Sequence, residues 1–332
     1  MLSVRFNMNQ WLFKLMILAA LFAYVFTLYF FQPKNVPTTV LTIDQNTSIK
    51  TVTQLLIDEQ ILEHPLFFKI ALRLTKADKK IRSGTFEFSQ PSSIHGILHT
   101  LTKGKLVLTE VVIPEGWNMH EIGSILEAKG ICSIEDFLAS CQDTSILSYY
   151  EIPSSTCEGY LLPETYQFAP NSSAKTVVTT MIDHLINKIT PEHLDQLSTY
   201  NLNRHQWITL ASIVEKEAAN PTEYALIASV FYNRLKKDMR LESDPTIIYG
   251  LEDYAGDIRT KDIRKKHPYN TYVIKGLPPG PIASPGWGAL MATLHPAQSE
   301  YLFFVADKNR KHVFSKTYAE HEKNVNLYQK RR

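Results

Sequence analysis

Two glutamates flank a lysine in Ala211-Ser212-Ile213-Val214-Glu215-Lys216-Glu217-Ala218. The spacing of apolar residues predicts a helix over 204–219, with Pro221 supplying the stop. At about 100° per residue, Trp207, Leu210, Ala211, Val214 and Ala218 form one apolar stripe. Lys216 then points nearly away from it. Glu215 and Glu217 lie about 200° apart and flank the stripe on different sides, Glu217 slightly nearer its centre. A carboxyl half-buried beside apolar side chains keeps its proton to higher pH. That is the state a general acid needs near neutrality. By residue type alone, a glutamate at the end of an amphipathic helix is ordinarily a solvated flank.

Other acids stand in turn-like contexts: Glu115 in Ile-Pro-Glu-Gly-Trp, Glu158 in Cys-Glu-Gly-Tyr, Glu164 in Pro-Glu-Thr-Tyr and Asp244 in Ser-Asp-Pro-Thr. Asp244 before Pro245 reads as a turn starter or helix cap. The sequence holds no His-Glu-x-x-His, phosphate-binding loop, Gly-x-Ser-x-Gly or dinucleotide fingerprint. Its 11 histidines are scattered, which gives a metal site little support. Ser284 has no evident base beside it. Tyr160, Tyr166, Trp207, Tyr249, Tyr269, Tyr272 and Trp287 are of the type that stacks on sugar rings. Asn233, Arg234, Asn270 and Thr271 are of the type that bonds hydroxyl, acetamido or carboxyl groups. Any one of these aromatics is as readily a core residue.

The elements around these residues divide into two textures. Residues 40–43, 82–88 and 106–113 read as strands, and 48–59, 65–74 and 92–101 as helices, with Ser48 and Ser93 among the candidate caps. Together 40–113 form a small β-α-α-β-α-β pattern. Helices and loops follow from Asn118, including one at 134–139 capped by Ser133, and 142–157 reads as loop. The second half carries helices at 176–189, 204–219 and 222–237. A Pro-, Gly- and Tyr-rich stretch spans 243–288, of the kind that carries binding groups. A hairpin at 301–305 and 311–314 and a helix over 317–328 complete the chain.

Residues 15–31 carry no charge, and with 11–14 the stretch reaches the length of a bilayer-crossing helix. Lys14 can snorkel at one end, and Tyr29, Phe30 and Phe31 suit an aromatic belt at the other. The run is longer than a signal peptide's apolar region and is followed by poor cleavage sequence, which favours an uncleaved anchor. Arg5 and Lys14 put the N-terminus in the cytoplasm and the rest on the far side. Residues 32–39, with two prolines, read as a stiff tether.

The chain has 332 residues, 35 Lys+Arg and 33 Asp+Glu, a net charge of +2. That balance excludes a whole-chain electrostatic grip on nucleic acid. Hydrophobic residues make up 44%, which excludes a largely disordered chain. Cys132, Cys141 and Cys157 match no zinc spacing and no disulfide scaffold. They read as idle thiols, with a Cys132–Cys141 bridge as the simplest alternative in an oxidising compartment.

Eight segments together resemble the endolytic murein transglycosylase, or YceG-like, family. They are Ile113–Gly116, Glu158–Tyr166, Ala211–Glu217, Val230–Leu235, Ser243–Gly250, Tyr269–Tyr272, Gly276–Ile282 and His295–Ala297. Their order and approximate spacing match, and with the anchor the likeness covers nearly the whole chain. The resemblance implies an α+β architecture: cytoplasmic residues 1–10, a transmembrane anchor at 11–31 and a tether at 32–39. A LysM-like domain at 40–113 and a catalytic domain at 114–332 follow. It implies a single-pass protein of the bacterial inner membrane, facing the periplasm. It also implies cleavage of the β-1,4 bond between N-acetylmuramic acid and N-acetylglucosamine in nascent strands, leaving 1,6-anhydro ends. The family's catalytic glutamate falls on Glu217. Glu158, Tyr166, Asn233, Asp244, Tyr269 and Asn270 are then expected substrate contacts. No metal or organic cofactor is required. Glycan strands and a peptidoglycan synthase complex are the expected partners, not nucleic acid. Departures are local, such as Leu162 and Glu164 where the family often has an aromatic and Asp. A non-catalytic glycan-binding scaffold and a two-carboxylate hydrolase using Asp244 are the alternatives.

Overall fold

The computed structural model describes residues 8–329 apart from Gln45, Gln90, 252–255 and Arg310. Arg5 and most of the expected cytoplasmic segment lie outside the described residues. The chain divides into two compact units, one up to Thr109 and one from Glu110 onward.

The first unit contains α1 (Met8–Phe31), β1 (Thr39–Ile43), α2 (Ile49–Asp58), α3 (Pro65–Thr75), β2 (Gly84–Phe88) and α4 (Ile94–Lys103). β1 and β2 pair antiparallel with Leu41 opposite Phe86. Alternation along both strands turns Leu41, Ile43, Phe86 and Phe88 inward. Ser48 and Ser93 cap α2 and α4 by accepting the Thr51 and Gly96 N–H groups. With α3, these helices seal the strands with Val52, Leu56, Phe68, Leu72 and Leu101. Trp11–Phe31 is long and apolar enough to cross a membrane, with a mean hydropathy of 2.0. Its last two turns do a second job: Phe30 is in the unit's core, and Tyr29 stacks on Phe67 with ring centroids 4.8 Å apart. Residues 32–39 are pinned rather than free. Lys34 and Ser92 exchange backbone hydrogen bonds at 2.9 Å, and Val36 is buried.

The stretch expected as one strand over 106–113 splits. Leu106 bridges to Phe86, while β3 (Thr109–Val112) pairs with β4 (Thr165–Phe168). The pattern of β-branched residues continues through a change of partner, because periodicity reports burial and not pairing.

The second unit also holds α5 (Met119–Ala128), α6 (Ile134–Cys141), α7 (Thr144–Tyr149), α8 (Ala174–Lys188), α9 (Pro191–Leu197), α10 (Arg204–Glu217) and α11 (Tyr224–Lys236). It continues with α12 (Asp244–Tyr249), α13 (Thr260–Ile263), α14 (Trp287–Leu294), β5 (Phe303–Ala306), β6 (His312–Ser315) and α15 (Tyr318–Tyr328). α7 lies within the expected 142–157 loop, started by Asp143, whose carboxylate accepts the Ser145 N–H. α10 is the central element. One side joins a core of Trp207, Ile208 and Ala211 with α5, α6 and α8. The other joins Leu210, Ile213 and Val214 to α11. Every residue from Trp207 to Val214 is buried. The single stripe expected from the wheel is therefore incomplete: polar Thr209 and Ser212 are inside because their hydroxyls bond the backbone of their own helix. All three cysteines are free thiols, and the alternative Cys132–Cys141 bridge is not formed. Cys157 instead lies beside Cys141, donating its N–H to the Cys141 carbonyl at 2.9 Å.

Candidate active site

α10 leaves the core only at its C-terminal turn, and there its two glutamates part as the helical wheel requires. Glu215 Oε1 accepts the Tyr224 hydroxyl at 2.5 Å and its Oε2 accepts the Gly286 N–H at 2.9 Å. Burial raises its pKa. Gly286 leaves room for the Glu115 side chain: a Cβ there would stand 1.9 Å from Glu115 Oε1, so that carboxylate would have to move. Glu215 is thus a brace between α10, α11 and the start of α14. Lys216 is exposed along its stem, and its Nζ donates to the Gly116 carbonyl at 3.0 Å.

Glu217 faces the other way and keeps part of its surface open. Its Oε1 accepts the Ser243 hydroxyl at 2.5 Å. Crowding by protein is the main cause that raises its pKa to about 7. The Ser243 hydrogen bond opposes this, the negative charge of Asp244 adds to it, and the Arg234 guanidinium opposes it. Such a carboxyl is part protonated near neutrality.

Ser243 is held from behind. Its N–H donates to Thr271 Oγ1 at 2.9 Å, and its carbonyl accepts the Thr246 hydroxyl at 2.6 Å. Both threonines are fully buried. Ser243 is also the residue that starts α12, so Asp244 is the first residue of that helix, and Tyr272 donates its hydroxyl to Asp244 Oδ1 at 2.7 Å. Arg234 lies behind the site, its Nε on the Leu302 carbonyl and its Nη1 on the Leu241 carbonyl, at 2.7 and 2.9 Å.

The expected contact residues fall into distinct roles. Asp244 joins Glu217, Ser243 and Tyr272 in one cluster. Tyr269 is half-buried against Tyr249, at 4.8 Å between ring centroids. Glu158 is only 3% exposed. Its oxygens accept the Met119 and Gly159 N–H groups and the Tyr249 hydroxyl. Asn270 organises its own loop, donating to the Asp262, Ile263 and Lys265 carbonyls. Asn233 fastens α11 to the Ser299 and Tyr301 carbonyls. Tyr166 is a core residue stacked on Phe168, its hydroxyl donated to the Leu162 carbonyl at 2.6 Å. Tyr160 and Trp207 are likewise wholly buried, so the aromatic roll of the sequence is partly core. Glu158 and Asn270 are both buried and hydrogen-bonded by groups of the protein itself.

Sequence reasoning passed over Ser243 and Tyr272 as partners of the two carboxyls. The one signal was Ser-Asp-Pro-Thr, a helix start whose first residues carry the hydroxyl and the acid. The Gly276–Ile282 segment is fixed beside this frame. His205 Nε2–H donates to the Pro279 carbonyl at 2.8 Å, leaving Nδ1 to accept from Tyr160 at 3.0 Å. Ile282 donates its N–H to Ser212 Oγ at 3.1 Å. Among the described residues, no group of three His, Cys, Asp or Glu is arranged for a metal ion.

A sequence model of the YceG-like family matches residues 41–327. A protein of Bacillus subtilis (strain 168) named endolytic murein transglycosylase is 29% identical over 312 residues, covering 89% of this chain and 86% of its own length. One of the same name from Streptococcus pneumoniae serotype 2 is 27% identical over 315 residues, 85% of this chain and 57% of the longer relative. The crystal structure of a yceG-like protein from Listeria monocytogenes superposes with a TM-score of 0.60 at 32% identity, over 87% of this chain and all of that one.

Proposed function

The chain belongs to the YceG-like family, and we propose that it is a membrane-anchored endolytic murein transglycosylase with Glu217 as its catalytic residue. The observation that carries the reading is the Glu217 carboxyl, raised to about 7 by burial and aimed by Ser243.

The reaction needs one carboxyl in two states. Protonated Glu217 gives its proton to the oxygen of the β-1,4 bond between N-acetylmuramic acid and N-acetylglucosamine as that bond breaks. The C6 hydroxyl of the same muramyl residue then attacks C1, and Glu217, now a carboxylate, accepts the hydroxyl proton. The products are a free 4-hydroxyl and a 1,6-anhydro end; no water is consumed and the enzyme returns to its starting state. Attack from within the same sugar gains the effective concentration of an intramolecular reaction. Ser243 engages Oε1 and so leaves Oε2 for the proton. The negative charge beside Glu217, on Asp244, suits the positive charge that develops at C1. Strands still being made at the membrane are the natural substrate for a site tethered by α1. On this reading the catalytic unit lies on the outer face of the cytoplasmic membrane, within reach of a peptidoglycan synthase.

The nearness of Asp244 favours one second reading, hydrolysis in which Asp244 activates water. Digestion of purified glycan strands separates the two. Anhydro-muramyl ends are expected from the parent, with a loss of at least ~100-fold in Glu217→Gln. Reducing ends would replace this mechanism with hydrolysis. Product formation unchanged in Glu217→Gln would sink both.

A further inference from the structure

We propose that α3 of the small unit rests on the anionic surface of the bilayer that α1 enters, through a face that combines exposed leucines with unpaired bases. The inference rests on the reading of α1 as a membrane anchor.

The geometry of α1 and α3 sets the direction. His64, just before α3, meets Tyr29 edge-on at 4.5 Å between rings. One turn later Phe67 stacks on Tyr29 at 4.8 Å and reaches Phe26 at 6.2 Å. The contacts therefore step back along α1 as α3 advances, so α3 runs down toward the membrane. Leu74 lies seven residues beyond Phe67, about 10 Å further in that direction.

The composition along α3 and just beyond it is unusual for a surface facing water. Leu66 and Leu74 are 67% and 69% exposed. On the helical wheel they bracket Ile70 and form a stripe beside the line that touches α1. Lys69 and Arg73 flank the stripe, and Lys76, Lys79 and Lys80 follow it; all five are exposed. Asp78 is the only acid between Lys69 and Lys80. Among the described residues none of these five bases forms an ion pair.

Each part of this face has a partner in a lipid surface. Apolar side chains enter the boundary between headgroups and chains, and lysine stems follow them while their ammonium groups stay at the phosphates. Each base near an anionic leaflet contributes about 1 kcal/mol in such systems. A glycan or a polyanionic wall polymer would use the bases but leave the leucines in water. The bilayer is the occupant that uses both.

The test uses the full chain in lipid nanodiscs, in a Cys132→Ser background, since Cys141 and Cys157 are buried. A nitroxide is placed by Leu74→Cys, with Leu18→Cys in α1 as the control. Collision with oxygen and with a polar nickel chelate reports immersion. In discs containing phosphatidylglycerol the Leu74 label should be shielded from the chelate at least ~3-fold more than in discs of phosphatidylcholine alone. Replacing Lys76, Lys79 and Lys80 by Glu should remove that difference. A Leu74 label open to the chelate while the Leu18 label is shielded would overturn the docking and leave the anchor standing. A Leu18 label open to the chelate would remove the anchor and the docking with it. Shielding of Leu74 that appears only after adding soluble glycan strands would assign the face to the wall polymer and overturn the proposal.

Discussion

Ser243 and burial pull the Glu217 carboxyl in opposite directions. Burial raises its pKa, and the serine hydroxyl, by bonding the charged form, lowers it. Ser243→Ala should therefore move the Glu217 pKa upward and carry the alkaline limb of the kcat profile to higher pH. The same change frees the carboxyl to rotate, so kcat should fall by about tenfold, with KM little altered. Ser243→Thr, which keeps the hydroxyl, should restore both. An alkaline limb that stays in place in Ser243→Ala would show that the serine does not act on the titrating group. The two carboxyls of α10 were legible because helical geometry forces positions two apart onto different sides. Ser243 was not, because nothing in its own neighbourhood tells that α12 begins against the end of α10. The roles of Asn233 and Asn270 were hidden for a related reason. A side-chain amide that bonds several carbonyls has the same residue type as one that binds a sugar, and only the backbone around it separates the two.

At the scale of elements, Glu158 shows how a buried acid joins helices. Its carboxyl takes the first N–H of α5 and the Tyr249 hydroxyl at the end of α12. Burial raises its pKa from 4.5 to about 7. The folded chain therefore binds more protons here than the unfolded chain between those values. The contribution to stability is complete below pH 4.5 and is lost as pH rises toward and through 7. Full separation corresponds to about 3 kcal/mol. Glu158→Gln should flatten this decline in urea unfolding measured from pH 4.5 to 8, leaving the smaller slope due to Glu217. An unchanged slope would mean that Glu158 is already charged in the fold. The helices themselves were readable where capping side chains mark their starts: Ser48, Ser93 and Ser133 all bond the backbone as their types require. α10 was read with a single apolar stripe, and Thr209 and Ser212 lie off it on the helical wheel. Their hydroxyls turn inward onto the helix carbonyls, which removes the cost of burial, and both flanks of the helix can then be covered.

At the scale of the molecule, the N-terminal helix is long and apolar enough to cross a membrane and is also a wall of the small unit. Its length and composition were plain in the sequence, but its second use was not, since Phe26 and Phe30 look the same in lipid and in a core. The same blindness joined 106–113 into one strand, although its two ends pair with different units. Two compact units predict two calorimetric transitions. A fragment beginning at Asn35 removes Phe26, Tyr29 and Phe30 from the small unit and breaks the Lys34–Ser92 backbone pair. Loss of one buried phenylalanine alone costs about 2 kcal/mol. For a unit of this size that is a fall of roughly 10 °C in Tm. Phe68→Leu, wholly within the small unit's core, identifies which transition belongs to it. That transition should fall in the fragment while the other stays where it is in the full chain. If neither moves, α1 only leans on the small unit, and the span can be cut away at Asn35 without cost to the fold.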